Sequence, residues 1–171
     1  MIGKGKSISH GTAALEYDLA KEIDGQTAAI EIARHELYGC TGAEMVQEMK
    51  PYHADFPNVK NNCLRFEVSP SIEESATFTD ADWAELGNDF MQRMGLANHQ
   101  YIIIRHSGTE SKKEQAHLHI LANRVSLSGE LYRDNWIGKK ATEAANAIAK
   151  ERNFVQSQDI GKANKAEIKE A

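Results

Sequence analysis

The sequence has little cysteine and no long hydrophobic run, and each shortage excludes a class of protein. Its 171 residues include two cysteines, Cys40 and Cys63, which are too few for a disulfide framework and form no CxxC pair. No apolar stretch approaches the roughly 20 residues that a membrane-spanning helix needs. The N-terminus also lacks the hydrophobic segment of a secretory signal. These absences predict a protein that is not inserted in a membrane and works in a reducing cytoplasm.

An excess of positive charge is absent as well, because the net charge is −5 and the pI is about 5.8. Taken as a whole this argues against nucleic acid, since a phosphate-binding domain usually has a basic footprint. The charge is uneven, however. Residues 61–100 carry two Lys or Arg and seven Asp or Glu, whereas residues 101–140 carry seven and four. Binding of a single strand needs only a local basic groove, so nucleic acid stays open as a partner.

The length suits a single domain with its own hydrophobic core, which we place at residues 1–155, followed by a charged tail at 156–171. Apolar alternation predicts strands at 1–6, 28–34, 62–68, 100–106 and 116–125, with a short strand at 130–133. Helical spacing of apolar residues predicts helices at 9–22, with Ser9 as N-cap, at 42–54, after Thr79 and at 136–152. The expected fold class is α+β, an antiparallel sheet with flanking helices that cover one face.

Three histidines fall on two strands that are close enough in sequence to form a hairpin. Side chains alternate along a strand, so His117 and His119 share the face opposite Leu118 and Ile120. His106 ends the preceding strand, and the hairpin can bring it beside them. Three converging imidazoles would suit a divalent metal, which can act as a Lewis acid on a phosphoryl oxygen. An HxH pair on a strand is weak evidence by itself, and ordinary surface or core histidines remain the alternative.

Tyr17 lies on the first predicted helix, on the side opposite its leucine stripe and among alanines. This position fits either a second packing surface or a nucleophile with room for a substrate. A phenol ionises only near pH 10. Attack at neutral pH would therefore need a polarised phosphate or a nearby base.

Taken together, Tyr17 and the pattern His106…His117-Leu118-His119 resemble relaxases of the mobilisation-protein type, which belong to the HUH endonucleases. The segments MIGKGKSISH, LRFEVSPSIEE, HLHILANRV and DNWIGKKA look especially like relaxases from mobilisable elements of Bacteroides-type bacteria. The resemblance covers about residues 1–153, and HLHxxxNRV with its upstream histidine is its most specific part.

The resemblance implies an HUH fold with a ferredoxin- or RRM-like core and a site-specific nick in one DNA strand at a transfer origin. Tyr17 would become a 5′-phosphotyrosyl intermediate, and His106, His117 and His119 would hold Mg²⁺ or Mn²⁺. Asn123 matches the asparagine that follows the HUH segment and would contact the DNA or support the metal ligands. Single-stranded DNA would be the substrate, with accessory mobilisation proteins and a coupling protein as further partners.

One position departs from the pattern of these relaxases. Many of them carry an acidic residue two positions after the first histidine, where this chain has Gly108. Glu110 and Glu114 are candidate substitutes.

Eight basic residues are candidates for contact with the DNA backbone. The alternative is that they are solvated surface charges. They are Lys4, Lys6, Arg105, Lys112, Lys113, Arg124, Lys139 and Lys140.

Two other functions stay open from the sequence. A replication initiator or transposase with HUH chemistry would share the active site and differ in its DNA substrate. A non-catalytic nucleic-acid-binding domain is disfavoured, because sheets that bind RNA usually expose aromatic side chains at strand centres, and the strands here offer histidines.

Overall fold

A five-stranded antiparallel sheet organises the chain in the computed structural model, which describes residues 1–109 and 115–156. In chain order the strands are β1 (Ile2–Ile8), β2 (Glu22–Ile23), β3 (Gln26–Thr27), β4 (Ala29–His35), β5 (Cys63–Ser69), β6 (Tyr101–His106) and β7 (His117–Asn123). The sheet has the spatial order β1-β5-β7-β6-β4, and β2 and β3 form a separate hairpin. The fold class is α+β, as predicted.

In the described part of the chain, five helices and one 3₁₀ turn flank this sheet. The helices are α1 (Gly11–Leu19), α2 (Gly42–Met49), α3 (Ile72–Ser75), α4 (Asp80–Arg93) and α5 (Ile137–Glu151), and the 3₁₀ turn spans Lys50–His53. The start of α4 is set by a capping box, in which Thr79 and Asp82 exchange side-chain and backbone hydrogen bonds. Within the described residues, no helix is both long and apolar enough to cross a membrane.

The sheet has two chemically different faces, because side chains alternate along each strand. The face that carries Phe66, Ile103, Leu118 and Ile120 packs against α4 and α5, and we call it the apolar face. The other face carries the three histidines together with Ile102, Ile104 and Leu121. It packs against α1 and α2, and we call it the histidine face.

Helices therefore cover both faces, and the expectation that they cover one face only is wrong. For the same reason the face opposite Leu118 and Ile120 is not a solvent face, because α1 lies over the histidines. Leu15 of α1 and Met45 of α2 are fully buried against this face, and that apolar contact explains why the second layer forms.

Several boundaries also differ from the predictions. Helix α1 starts at Gly11 rather than after Ser9, because β1 continues to Ile8, which pairs with Cys63. It ends at Leu19 because a tight hairpin follows. Asp24 and Gly25 there have φ of 53° and 76°, the positive values that such a turn requires. The strand expected at 130–133 is a single bridge between Val125 and Leu131.

Candidate active site

The three predicted histidines converge at one end of the β6–β7 hairpin. His106 lies directly opposite His117 in the strand register, and His117 Nε2 is 3.1 Å from His119 Nε2. One nitrogen from each of the three rings lies within 4.8 Å of the other two. In the part of the chain that the structure describes, this is the single cluster of metal-ligating side chains.

The surroundings keep these imidazoles suited to metal binding. Burial lowers the pKa of His119 to about 2, with the neighbouring His106 and His117 adding to the effect, and burial also lowers the pKa of His106. A neutral imidazole offers a lone pair to a metal. In His117, Nδ1 donates a hydrogen bond to the Gln115 carbonyl oxygen at 2.9 Å, which leaves the lone pair on Nε2. Such a backbone contact fixes the ring and its tautomer.

Helix α1 brings Tyr17 to the same region. The ring nitrogen Nε2 of His106 donates a hydrogen bond of 2.8 Å to the backbone carbonyl of Asp18, the residue after Tyr17. The tyrosine side chain is 60% exposed. Lys21 Nζ lies 3.3 Å from its hydroxyl oxygen. The last turns of α1 thus combine an accessible phenol with direct contact to the histidine cluster.

Asp18 is a buried acid that the sequence analysis missed. Its side chain is 1% exposed and receives two hydrogen bonds from the Arg65 guanidinium, at 2.5 Å and 3.3 Å. Its Oδ1 also lies 3.9 Å from His119 Nδ1. The missing acid at Gly108 therefore has a counterpart on α1. Helical spacing offered a clue, since Asp18 follows Leu15 by three positions and shares its face.

Comparison with known families decides what this arrangement belongs to. A family model described as the nuclease domain of MobA/VirD2-like relaxases matches residues 17–154. The chain belongs to this relaxase family. The matched region contains Tyr17, Asp18 and all three clustered histidines.

Two further comparisons add little. A search of curated protein sequences finds no match. One similar solved structure comes from work on the molecular basis of vancomycin resistance transfer in Staphylococcus aureus. The two chains are 13% identical, with a TM-score of 0.48, and the similarity covers 90% of this chain and 95% of the other.

A cleft opens beside the histidines of the relaxase domain, across β5 and β1. In the register, Lys4 lies opposite Glu67, which lies opposite His119, and Lys6 lies opposite Arg65. All of these side chains therefore project from the histidine face. The cleft is lined by Lys4, Gly5, Lys6, Arg65, Phe66, Glu67 and His119. Glu67 is a second acid near His119 that the sequence analysis did not single out.

Among the described residues, the other candidate cations do not line this cleft. Arg105 lies opposite Leu118 and donates a hydrogen bond to Asp80 at 2.9 Å, so it projects from the apolar face. Arg124 is held by the Tyr132 and Asn61 carbonyl oxygens. Lys139 and Lys140 lie on α5, which covers the apolar face. Lys112 and Lys113 fall outside the described residues, as do Glu110 and Glu114.

Asn123 is fully buried in a network of hydrogen bonds. Its amide nitrogen donates to the Met49 carbonyl oxygen and to Gln100 Oε1. Its Oδ1 accepts from His53 Nε2 at 2.7 Å and from the Val125 backbone. Through these hydrogen bonds Asn123 connects the end of β7 to α2 and to the 3₁₀ turn that follows α2.

The histidines outside the cluster have other partners or positions. His99 Nδ1 donates to the Asn123 carbonyl oxygen at 2.7 Å, and His35 Nδ1 donates to the His99 carbonyl oxygen at 2.8 Å. His10 is exposed. His35 and His99 thus contact backbone carbonyl oxygens, and His10 lies at the surface.

Proposed function

We propose that this relaxase domain nicks one DNA strand at a transfer origin and keeps the 5′ end as a phosphotyrosyl link to Tyr17. The observation that carries the proposal is the position of Tyr17, one residue before Asp18, whose carbonyl oxygen accepts the His106 hydrogen bond. This contact supports the proposal because it packs the helix that carries Tyr17 against the strand that carries His106.

In the proposed step the Tyr17 hydroxyl oxygen forms a bond to phosphorus, and the bond from phosphorus to the 3′ oxygen breaks. The tyrosine proton leaves to solvent or a base, and the 3′ oxygen gains a proton to become a hydroxyl. The phosphodiester energy is kept in the new link, so a strand can later be rejoined. Lys21 Nζ, 3.3 Å from the phenol oxygen, would stabilise negative charge there during attack.

His106, His117 and His119 would hold the divalent ion, for which we propose Mg²⁺ or Mn²⁺. Three imidazoles with nitrogens within 4.8 Å of one another, two of them buried, fit such an ion. When bound, it would supply Lewis-acid polarisation of a phosphoryl oxygen. The protein would fix the orientation of the imidazole rings that hold the ion. The Gln115 carbonyl oxygen does this for His117 by accepting a hydrogen bond from Nδ1.

Asp18 acts in this proposal as a positioning residue. Its carboxylate attracts the Nδ1 side of His119, 3.9 Å away, while Arg65 holds the carboxylate in place through two hydrogen bonds. A carboxylate behind a metal-binding imidazole raises the basicity of that ligand and fixes its orientation.

Lys4 and Lys6 would neutralise phosphates of the strand that leaves the histidine site. They are exposed on β1, two strands from His119 and so about 10 Å away by ordinary strand spacing. A local basic cleft of this kind is what single-strand binding needs, even in a chain of net charge −5. The modest cationic surface also favours help from accessory mobilisation proteins and a coupling protein.

The test is covalent capture. The protein is incubated with labelled single-stranded DNA from candidate transfer origins, with Mn²⁺ or with EDTA, and run on a denaturing gel. We expect a band shift that needs the metal, survives SDS and disappears in Tyr17→Phe. Tyr38→Phe is the matched control, since Tyr38 is 76% exposed on a different part of the surface.

An adduct that persists in Tyr17→Phe would contradict the assignment of the nucleophile. Firm DNA binding without an adduct on any origin sequence would favour the non-catalytic alternative. An adduct only on replication origins or transposon ends would favour an initiator or transposase.

A further inference from the structure

Trp136 is the most exposed large hydrophobic side chain among the described residues, at 78%. We propose that it stacks on a base of the bound single strand, at a surface beside β1 that is separate from the histidine site. This inference rests on the proposed function, because it assumes that single-stranded DNA is the substrate. Trp136 together with Arg133, Lys139 and Lys140 is called the Trp136 surface below.

The edge strand β1 separates the Trp136 surface from the basic cleft. Ser7 of β1 donates a hydrogen bond of 2.7 Å to the Asp134 carboxylate. A Cβ on Gly138 would lie 3.7 Å from the Gly5 carbonyl oxygen. The segment 134–138 therefore runs along β1, the edge strand whose Lys4 and Lys6 face the cleft. Ser7 and Gly5 alternate with Lys6 and Lys4 along β1, so segment 134–138 lies on the apolar-face side of this strand. In this proposal a DNA strand bound at Lys6 passes round the edge of the sheet to reach Trp136.

The backbone at Trp136 has a defined conformation that hydrogen bonds hold in place. Its backbone has φ of 60°, a left-handed conformation that a bulky residue rarely adopts. Its carbonyl oxygen accepts from Lys140 N at 2.8 Å, and Ile137 N donates to the Asp134 carbonyl oxygen at 3.1 Å. These contacts fix the backbone position from which the ring projects.

The charge around Trp136 suits a polyanion. Arg133, Lys139 and Lys140 are exposed and within four positions of it. The acids in the same stretch are already engaged. Asp134 lies 3.2 Å from the Arg124 guanidinium. Glu143 lies 4.0 Å from Lys139 and offsets the charge of that lysine, so Arg133 and Lys140 supply the remaining positive charge. An aromatic side chain flanked by cations is the combination that binds single strands, with bases on the ring and phosphates on the cations.

Tyr38 provides the contrast within the same molecule. It is 76% exposed, nearly as much as Trp136, but its hydroxyl donates to Glu36 and its backbone N–H donates to Glu48. Glu36 raises the pKa of its phenol. Carboxylates around an aromatic ring repel a phosphate backbone, so exposure alone does not make Tyr38 a DNA contact.

The tryptophan content makes the inference directly measurable. The chain has two tryptophans. Trp83 is 2% exposed in the core, so the difference in emission between wild type and Trp136→Phe reports Trp136 alone. Fluorescence is measured in EDTA, which prevents cleavage, during titration with a single-stranded oligonucleotide from the transfer origin and with oligo-dT.

We expect the DNA to quench the Trp136 emission and Trp136→Ala to weaken binding about tenfold, with Trp136→Phe restoring most of the affinity. Tyr38→Ala should leave the affinity unchanged. Removing one base from the oligonucleotide, by an abasic site at the position that reaches Trp136, should abolish the quenching.

Binding of DNA with unchanged Trp136 emission would overturn the inference while leaving the proposed function intact. Equal weakening of intact and abasic strands by Trp136→Ala would also overturn it, since stacking would then be absent. Wild-type protein that binds no single strand and forms no Tyr17 adduct would contradict the proposed function itself. If Trp136→Ala bound single-stranded DNA as tightly as wild type, the inference would also fail. The exposed ring would then suit contact with a protein partner.

Discussion

The two faces of the central sheet are formed by the same strands, but one packs in the hydrophobic core and the other carries the candidate metal site. On β7, Leu118 and Ile120 are fully buried against α4 and α5. Their immediate neighbours His117 and His119 point to the other face, under α1, and complete the candidate metal site with His106. Alternation along one strand thus separates packing from chemistry by a single residue.

The comparison teaches that burial alone does not distinguish the two faces. His106 and His117 are 2% and 3% exposed, nearly as buried as the leucines behind them. What differs is the type of partner. The buried centre of the apolar face packs against hydrophobic side chains of α4 and α5. The histidine face meets a carbonyl oxygen of α1 and the Asp18–Arg65 pair. The following substitutions test that difference, in order of decreasing effect on activity.

His119→Ala should have the largest effect. It removes one of the three ligands, so we expect Mn²⁺ affinity to fall by at least about 100-fold and adduct formation to fall with it. Isothermal titration with Mn²⁺ measures the affinity, and circular dichroism checks the fold. Unchanged Mn²⁺ affinity would show that the histidine face is ordinary core.

Asp18→Asn should weaken Mn²⁺ binding by about 10- to 100-fold, because the partner behind His119 loses its charge. It should also cost about 2 kcal/mol of stability, since the half-buried Arg65 keeps its charge without a carboxylate. Denaturant unfolding measures the second effect. A loss of stability with normal Mn²⁺ affinity would make Asp18 purely structural.

The double substitution of Lys4 and Lys6 by alanine should weaken single-strand binding and leave Mn²⁺ affinity unchanged. The slope of log affinity against log salt should become shallower by about 0.7 for each phosphate that the variant no longer neutralises. Lys150→Ala is the matched control, because Lys150 is exposed at the end of α5 on the apolar-face side. An equal change in the control would mean that the cleft has no special role.

Ile120→Ala should have the smallest effect on activity and a large effect on stability. The side chain is fully buried on the apolar face, and such truncations cost about 2–5 kcal/mol. At a temperature where the variant is folded, adduct formation per folded molecule should match wild type. A specific loss of Mn²⁺ binding would show that the two faces are not independent.

Much of the sheet could be predicted because its signal is local. The strands at 28–34, 62–68 and 100–106 appear within one residue of their predicted positions. The antiparallel β6–β7 pairing follows from their closeness in sequence. Predictions failed where tertiary contacts decided the outcome. The extension of β1 to Ile8 depends on pairing with Cys63, which lies far along the chain and is invisible to local patterns.

The same division holds for the site. Alternation and spacing along the sequence were enough to place His106, His117 and His119 on one face of a hairpin, because strand geometry is a property of neighbouring residues. Only the tertiary structure brought α1 over that face, buried Asp18 against Arg65, and assigned Lys4 and Lys6 to the histidine face but Arg105 to the other. Those relations join residues distant in sequence, and they follow from how two helical layers pack on one sheet.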